Sequence, residues 1–182
     1  AAIDGDIGSV QDLYFDDRHW TIRYLMVDTG TWLPGKQVLL SPLSVGELTP
    51  GDHLTVKLTR DQVENGPPID TDKPVDRQHE TAFPTYYGYP FYWEGAYRWG
   101  LTDFPGLTPI PVGPAPGPVD EEMLARERER ADPHLRSARD VTGYYIEATD
   151  GDLGHVEDFL VEDATWAIRY MIVDTRNWWP GR

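Results

Sequence analysis

The chain has 182 residues, enough for one large domain or two small ones, and 31 acidic against 16 basic residues give a formal net charge of -15. A surface this acidic repels phosphate backbones and anionic head groups, which argues against nucleic-acid binding and membrane adhesion. The absence of cysteine excludes disulfides and thiolate chemistry. No apolar run approaches the roughly 20 residues that span a bilayer, so membrane insertion is not expected and a cytoplasmic location is predicted.

The first and last parts of the chain are copies of one unit. Residues 4–36 and 150–182 align without a gap at an offset of 146, and 17 of the 33 positions are identical. Chance does not produce such a match, so the sequence indicates a duplicated module. These segments are called copy one and copy two below.

The start of copy one predicts two strands. Turn chemistry at residues 4–6 and 16–18 brackets a strand over residues 7–15. A second strand over 20–28 is apolar on both faces, as in a strand with neighbours on each side. Alternation places four large side chains on one of these faces: Trp20, Ile22, Tyr24 and Met26.

More short elements follow in chain order. Two further strands are predicted over 38–40 and 53–58, and Thr59 with Gln62 has the spacing of a capping box that opens a short helix. Ahead of copy two, residues 135–148 can supply that copy with a first strand. Short strands separated by strong turns predict a mainly β protein built as a small barrel or sandwich.

The two copies are incomplete in complementary ways. Copy one has no counterpart of the strand that residues 143–148 supply to copy two, and copy two has no counterpart of residues 38–58. Open strand edges template pairing with other strands. We therefore expect the copies to associate side by side, with their edges covered by one another, by the middle of the chain or by a second molecule in a homo-oligomer. The alternative is that these residues are a fragment of a longer chain with two complete units.

The repeat reads G-x-V-x-D, then W-x-I-R-Y-x-x-V-D-T, and in copy one V-L-L-S-P follows at residues 38–42. This motif resembles that of the PRC-barrel family. The matching positions are Gly8, Val10, Asp12, Trp20, Ile22, Arg23, Tyr24, Val27, Asp28 and Thr29, which recur as Gly154, Val156, Asp158, Trp166, Ile168, Arg169, Tyr170, Val173, Asp174 and Thr175. Family members include the cytoplasmic domain of the photosynthetic reaction-centre H subunit and the C-terminal domain of ribosome-maturation factors.

The resemblance implies a fold and a domain organisation. Residues 1–66 would form one small antiparallel PRC-barrel-like unit without its first strand, and residues 135–182 a second without its C-terminal strands. Residues 67–134 would be an aromatic and Pro/Gly-rich linker, with a short helix near 121–131. Because family members act as docking or assembly modules, the resemblance implies no catalytic residue and no cofactor.

The linker carries a dense aromatic segment over residues 86–99. Such an apolar load is costly to leave in water, so it either packs on the two units or forms a surface for a protein partner. The candidate partner-binding residues are Tyr86, Tyr87, Tyr89, Phe91, Tyr92, Trp93, Tyr97 and Trp99.

The most apolar strand of each copy also carries charges. Together with the tryptophans they form a structural signature: Trp20, Arg23 and Asp28 in copy one, and Trp166, Arg169 and Asp174 in copy two. A buried charge must be paired. Alternation puts Arg23 and Asp28 on opposite faces, so Asp12 and Asp158 are the candidate partners of the two arginines.

Two hypotheses of function remain. The first is a non-catalytic docking or scaffold protein, for which the resemblance also suggests a reaction-centre H-subunit-like role in photosynthetic electron transfer. The second is a sensor of a small ligand or cation that uses the acidic turns at residues 4–6 and 150–152. These turns lack the further ligands of a calcium loop, and the five histidines show no metal-ligand spacing, so no metal site is predicted. No nucleophile–base set or phosphate loop is present.

Overall fold

A computed structural model describes residues 1–46, 53–67, 79–107 and 135–175. These residues form a mainly β protein with two antiparallel sheets, of four and three strands, and a few short helices. The predicted helix over 121–131 and the proline-rich run over 109–118 lie outside the described residues.

The first sheet is built around copy one. Its strands are β1 (Ser9–Asp16), β2 (Thr21–Asp28), β3 (Gln37–Leu40) and β4 (Leu135–Ser137), in the order β3-β2-β1-β4. The three strands predicted between residues 7 and 40 are all present. Every residue of β2 up to its last is buried, as expected for a strand with a neighbour on each side.

Strand β4 reaches this sheet from a distant part of the chain. It precedes copy two in sequence, yet it pairs with the end of β1, where Tyr14 lies opposite Ser137 and Asp16 opposite Leu135. Part of the open edge of copy one is therefore covered by the segment that leads into copy two.

The second sheet is built around copy two. It consists of β5 (Tyr145–Ala148), β6 (Gly151–Val161) and β7 (Ile168–Asp174), in the order β5-β6-β7. Strand β5 is the first strand that the sequence predicted for this copy.

Among the described residues, three short α-helices accompany the sheets: α1 (Arg60–Glu64), α2 (His79–Tyr87) and α3 (Ala138–Val141). The predicted capping box opens α1, with Thr59 as N-cap and Gln62 reaching back to it. The strand predicted over 53–58 is wrong, because this segment contributes only an isolated bridge between Val45 and Val56. Single 3-10 turns lie at residues 42–44 and 105–107.

The two copies share one strand register. Val10 lies opposite Val27 in copy one, and the equivalent Val156 lies opposite Val173 in copy two. All six pairs between the two central strands of copy two recur in copy one at the offset of 146, and each copy interrupts the ladder at the same two places. The expectation that the two copies fold alike is confirmed for residues 9–28 and 155–174.

The glycine that opens each motif is required by close backbone packing. Gly8 and Gly154 adopt φ angles of 133° and 137°, which side chains disfavour. A Cβ atom would lie 1.9 Å from the carbonyl oxygen of Asp28 at the first site, and 2.0 Å from that of Asp174 at the second. Steric exclusion therefore requires glycine at this position in both copies.

The signature tryptophans correct one expectation. Trp20 and Trp166 have left-handed φ angles of 50° and 59°, so each ends a turn instead of lying on a strand face. The shared pattern of the copies predicts equivalent, substantially buried sites for both tryptophans. This prediction is wrong, because Trp166 is 9% exposed but Trp20 is 38% exposed. Trp20 stacks on Phe15 at 5.5 Å, whereas Trp166 belongs to the shared core.

The copies meet at a seam with approximate two-fold symmetry. Thr21 forms a bridge with Ala167, its own equivalent in the other copy. The Ile22 amide donates to the Trp166 carbonyl oxygen at 2.9 Å, and the Ile168 amide donates to the Trp20 carbonyl oxygen at 2.6 Å. One continuous apolar cluster spans the seam. The predicted side-by-side association of the copies is confirmed.

Candidate functional site

Arg23 lies at a bulge in β2. Tyr14 pairs with Tyr24 and Phe15 with Ile22, so Arg23 has no counterpart on β1. Such an extra residue interrupts the alternation of side chains between the two faces of the strand. The bulge is repeated at Arg169, between the pairs formed by Leu160 and Val161.

The partner of Arg23 is Asp16, which corrects the expectation of Asp12. Arg23 Nε donates to Asp16 Oδ2 at 2.6 Å, and both side chains are almost completely buried. The other Asp16 oxygen accepts the His19 amide at 2.7 Å and lies 3.0 Å from the His19 ring Nδ1. Asp12 instead accepts the Ser137 hydroxyl at 2.6 Å. Simple alternation failed here because the bulge changes which residues share a face.

The aromatic segment closes over this buried ion pair. The Arg23 guanidinium carbon lies 3.8 Å from the centre of the Tyr92 ring and 5.0 Å from that of the Trp99 ring. Arg23 Nη1 donates to the Arg98 carbonyl oxygen, while Nη2 has no hydrogen-bond acceptor among the described residues. The ring faces therefore supply part of the electrostatic stabilisation of this cation.

Helix α2 and the start of the aromatic segment pack around Tyr24, the residue that follows Arg23 in β2. Phe83 from α2 packs edge-on against Tyr24 with ring centres 5.2 Å apart, and Tyr87 contacts Phe83 at 4.6 Å. Tyr87 also stacks on Tyr89 at 5.5 Å. Trp99 Nε1 donates to the Thr165 carbonyl oxygen at 3.0 Å, which ties the segment to copy two.

The proposed partner-binding residues therefore divide into two groups. Tyr89, Tyr92 and Trp99 are buried inside the fold, which corrects their assignment to a binding surface. The other five are half-buried or, for Tyr97, exposed: Tyr86, Tyr87, Phe91, Trp93 and Tyr97.

Burial of the Tyr89 phenol predicts that the folded state loses stability at high pH. Burial raises the pKa of Tyr89 to about 12, and this outweighs a hydrogen bond with Ser44 that acts in the opposite direction. The folded state favours the neutral phenol. The stability that Tyr89 contributes is therefore complete below the ordinary pKa of 10.0 and is lost as the pH rises towards 12.

We expect Tyr89 to contribute a loss of about 2 to 3 kcal/mol in unfolding free energy across this window. Urea denaturation of the wild type and Tyr89→Phe between pH 8 and pH 12 measures this contribution, and the variant should lose less stability. Parallel profiles for the two proteins would contradict the assignment.

Within the part of the chain that the structure describes, no segment covers the equivalent face of copy two. Tyr170, the counterpart of Tyr24, is 69% exposed against 2%, and Ile172, the counterpart of Met26, is 37% exposed against 5%. Leu160 lies directly opposite Tyr170, and the register places Tyr145 on the same face. We call these four exposed apolar residues the copy-two face: Tyr145, Leu160, Tyr170 and Ile172.

The charged pair beside this face is also exposed in copy two. Arg169 donates to Glu162, the counterpart of Asp16, at 2.5 Å, and both side chains are partly exposed. The Thr165 hydroxyl and then Arg169 hold the pKa of Glu162 below its usual value. Acidic residues at the equivalent positions 16 and 162 are the sequence signal that identifies the true partner of each arginine.

The last members of the signature, Asp28 and Asp174, have different surroundings. Asp28 is exposed at the end of β2 and accepts the Gly30 amide at 2.8 Å. Asp174 is buried, with Oδ2 3.8 Å from His155 Nε2. These aspartates thus end their strands and do not pair with the signature arginines.

No family model matches the chain, and no curated protein matches its sequence.

Within the described residues, no three His, Asp or Glu side chains are grouped as metal ligands, and no helix is long and apolar enough to cross a membrane. In the acidic turn of copy one, Asp4 accepts the Arg60 amide at 2.8 Å, so it pairs with a free backbone donor in the first turn of α1.

Proposed function

We propose that the chain is a non-catalytic protein-docking module of the PRC-barrel type, in which copy two offers its exposed face to a protein partner. One observation carries the proposal: the same face of the same unit is covered by aromatic side chains in copy one, whereas in copy two it is exposed and no described segment covers it. In this proposal copy one with its aromatic cover is the scaffold, and copy two is the recognition unit.

The composition of the face supports a protein partner. Exposed tyrosines and aliphatic residues grouped on one face are typical of interface centres, where rigid aromatic side chains contribute most of the binding energy. The aromatic cover of copy one gives a model for the occupant, because it presents Phe83 to Tyr24. We therefore propose a partner that presents apolar or aromatic side chains to Tyr170 and Ile172.

The surrounding charge adds a second property of the partner. The chain has a net charge of -15, and acidic residues such as Asp158 and Asp163 lie exposed near the face. A partner with basic residues around its apolar contact would associate faster and more specifically with such a surface. A second copy of the chain is one of the proposed partners. The net charge of -15 on each copy opposes this self-association.

The test compares Tyr170→Ser/Ile172→Ser with Leu101→Ser, a control that removes an exposed leucine elsewhere. Proteins captured from a native extract by the wild type and the control, but not by the double variant, are purified and their affinities measured. We expect the double variant to bind at least about 30-fold more weakly, since loss of an interface centre costs about 2 kcal/mol or more.

Light scattering on the same three proteins measures self-association. A concentration-dependent dimer lost only in the double variant would identify the second copy as the partner. Equal capture by all three proteins, together with equal monomer masses, would overturn the proposed function.

A further inference from the structure

The outer edge of β6 beyond Val156 has no strand partner among the described residues. Strand β5 pairs with the start of β6, and Val156 still exchanges hydrogen bonds with residues 143 and 144. No described strand pairs with this edge at residues 158–162. In copy one the equivalent edge, at residues 14–16, is occupied by β4.

Copy one shows what such an edge binds. The backbone of β4 pairs with β1, and the Ser137 hydroxyl donates to Asp12 Oδ2 at 2.6 Å. The Arg139 amide donates to Asp12 Oδ1 at 3.1 Å, and Arg136 Nε donates to Asp17 Oδ2 at 3.0 Å. Two carboxylates thus hold an extended segment that contains one serine and one arginine.

Both carboxylates recur in copy two. Asp158 and Asp163 are the counterparts of Asp12 and Asp17, and both are exposed. Asp158 is oriented as Asp12 is, since each accepts the amide of the next residue at 2.7 Å through Oδ1. Among the described residues, no side chain donates to Asp158 Oδ2 or pairs with Asp163.

We infer that the β6 edge binds an extended peptide of a partner protein with the pattern Leu-Arg-Ser, which adds to the sheet as a fourth strand. Its backbone would pair with residues 160–162, its serine hydroxyl would donate to Asp158, and its arginine would pair with Asp163. Main-chain pairing of this kind gives affinity, and the two carboxylates give specificity. The inference rests on the proposed function only in taking the ligand to be a protein.

A synthetic peptide with the sequence of residues 135–141 is the probe. Titration into the isotope-labelled full chain should shift the amide signals of residues 158–163. We expect Asp158→Asn to weaken binding about 10-fold to 100-fold, because hydrogen bonds to charged groups contribute about 1.5 to 3 kcal/mol. A peptide with alanine in place of its serine should bind equally weakly, and Asp152→Asn is the charge-matched control.

A tethered form keeps the test decisive if the free peptide binds too weakly to measure. The sequence of residues 135–146 is placed directly before Ala1, which the offset of 146 makes equivalent to residue 147. Docking should raise the unfolding midpoint, because a tethered segment avoids the entropy cost of association. Asp158→Asn should remove that gain.

The results separate this inference from the proposed function. Neither binding nor stabilisation, the same response in Asp158→Asn, or shifts confined to residues 14–16 would overturn the inference. The proposed function would still stand if Tyr170→Ser/Ile172→Ser lost its captured partner. If that variant retains its partner while the β6 edge binds the peptide, the proposed role of the copy-two face is wrong and the inference about the β6 edge stands.

Discussion

Arg23→Met is expected to destabilise the fold by about 3 to 5 kcal/mol, because it leaves the buried Asp16 carboxylate without its cationic partner. Asp16 is completely buried, and Arg23 Nε lies 2.6 Å from its Oδ2 atom. The substitution also removes the cation from the rings of Tyr92 and Trp99, which cover it at 3.8 and 5.0 Å. Denaturation in guanidinium chloride at neutral pH measures the loss.

The repeat supplies a matched control. Arg169→Met makes the same substitution at the equivalent position, where the ion pair with Glu162 is partly exposed. Water solvates the carboxylate that remains, so the change in stability should be much smaller. Adding Asp16→Asn to Arg23→Met should recover part of the loss, because it removes the uncompensated charge. Equal effects of the two arginine substitutions would show that burial of the pair is not what matters.

The repeat made the central strands predictable, because a shared pattern of apolar residues, turns and glycines sets one register. The identical pairing of Val10 with Val27 and of Val156 with Val173 follows from it. The partner of β1 on its outer edge was not predictable in the same way. Leu135–Ser137 is too short to carry a clear strand pattern and is distant in sequence from Asp16, with which it pairs.

Other differences arise where local geometry departs from regular alternation. The bulge at Arg23 and the left-handed conformation of Trp20 each change where a side chain points, and neither is visible in a period-two pattern. The role of the aromatic segment could not be predicted from the sequence for a different reason. Its composition indicated burial or binding, and only tertiary contacts show that Tyr92 and Trp99 pack on Arg23 while Tyr97 remains exposed.

Phe15→Ala is expected to weaken both copies together, by about 3 to 5 kcal/mol, because the two sheets share one core. Phe15 is almost completely buried in copy one. Its ring contacts Trp20 at 5.5 Å and, across the seam, Phe159 of copy two at 5.7 Å. The cavity left by alanine therefore opens between the copies as well as within the first sheet.

The shared core predicts one cooperative unfolding transition. Tryptophan fluorescence and far-ultraviolet circular dichroism should give coincident curves for the wild type, and Phe15→Ala should shift both curves by the same amount. Val161→Ala is the matched control, because Val161 is the partly buried counterpart of Phe15 and loses fewer atoms. Its shift should be smaller, but it should also move both curves together. Two separate transitions, only one of which responds to Phe15→Ala, would show that the copies unfold independently and that the seam contributes little to stability.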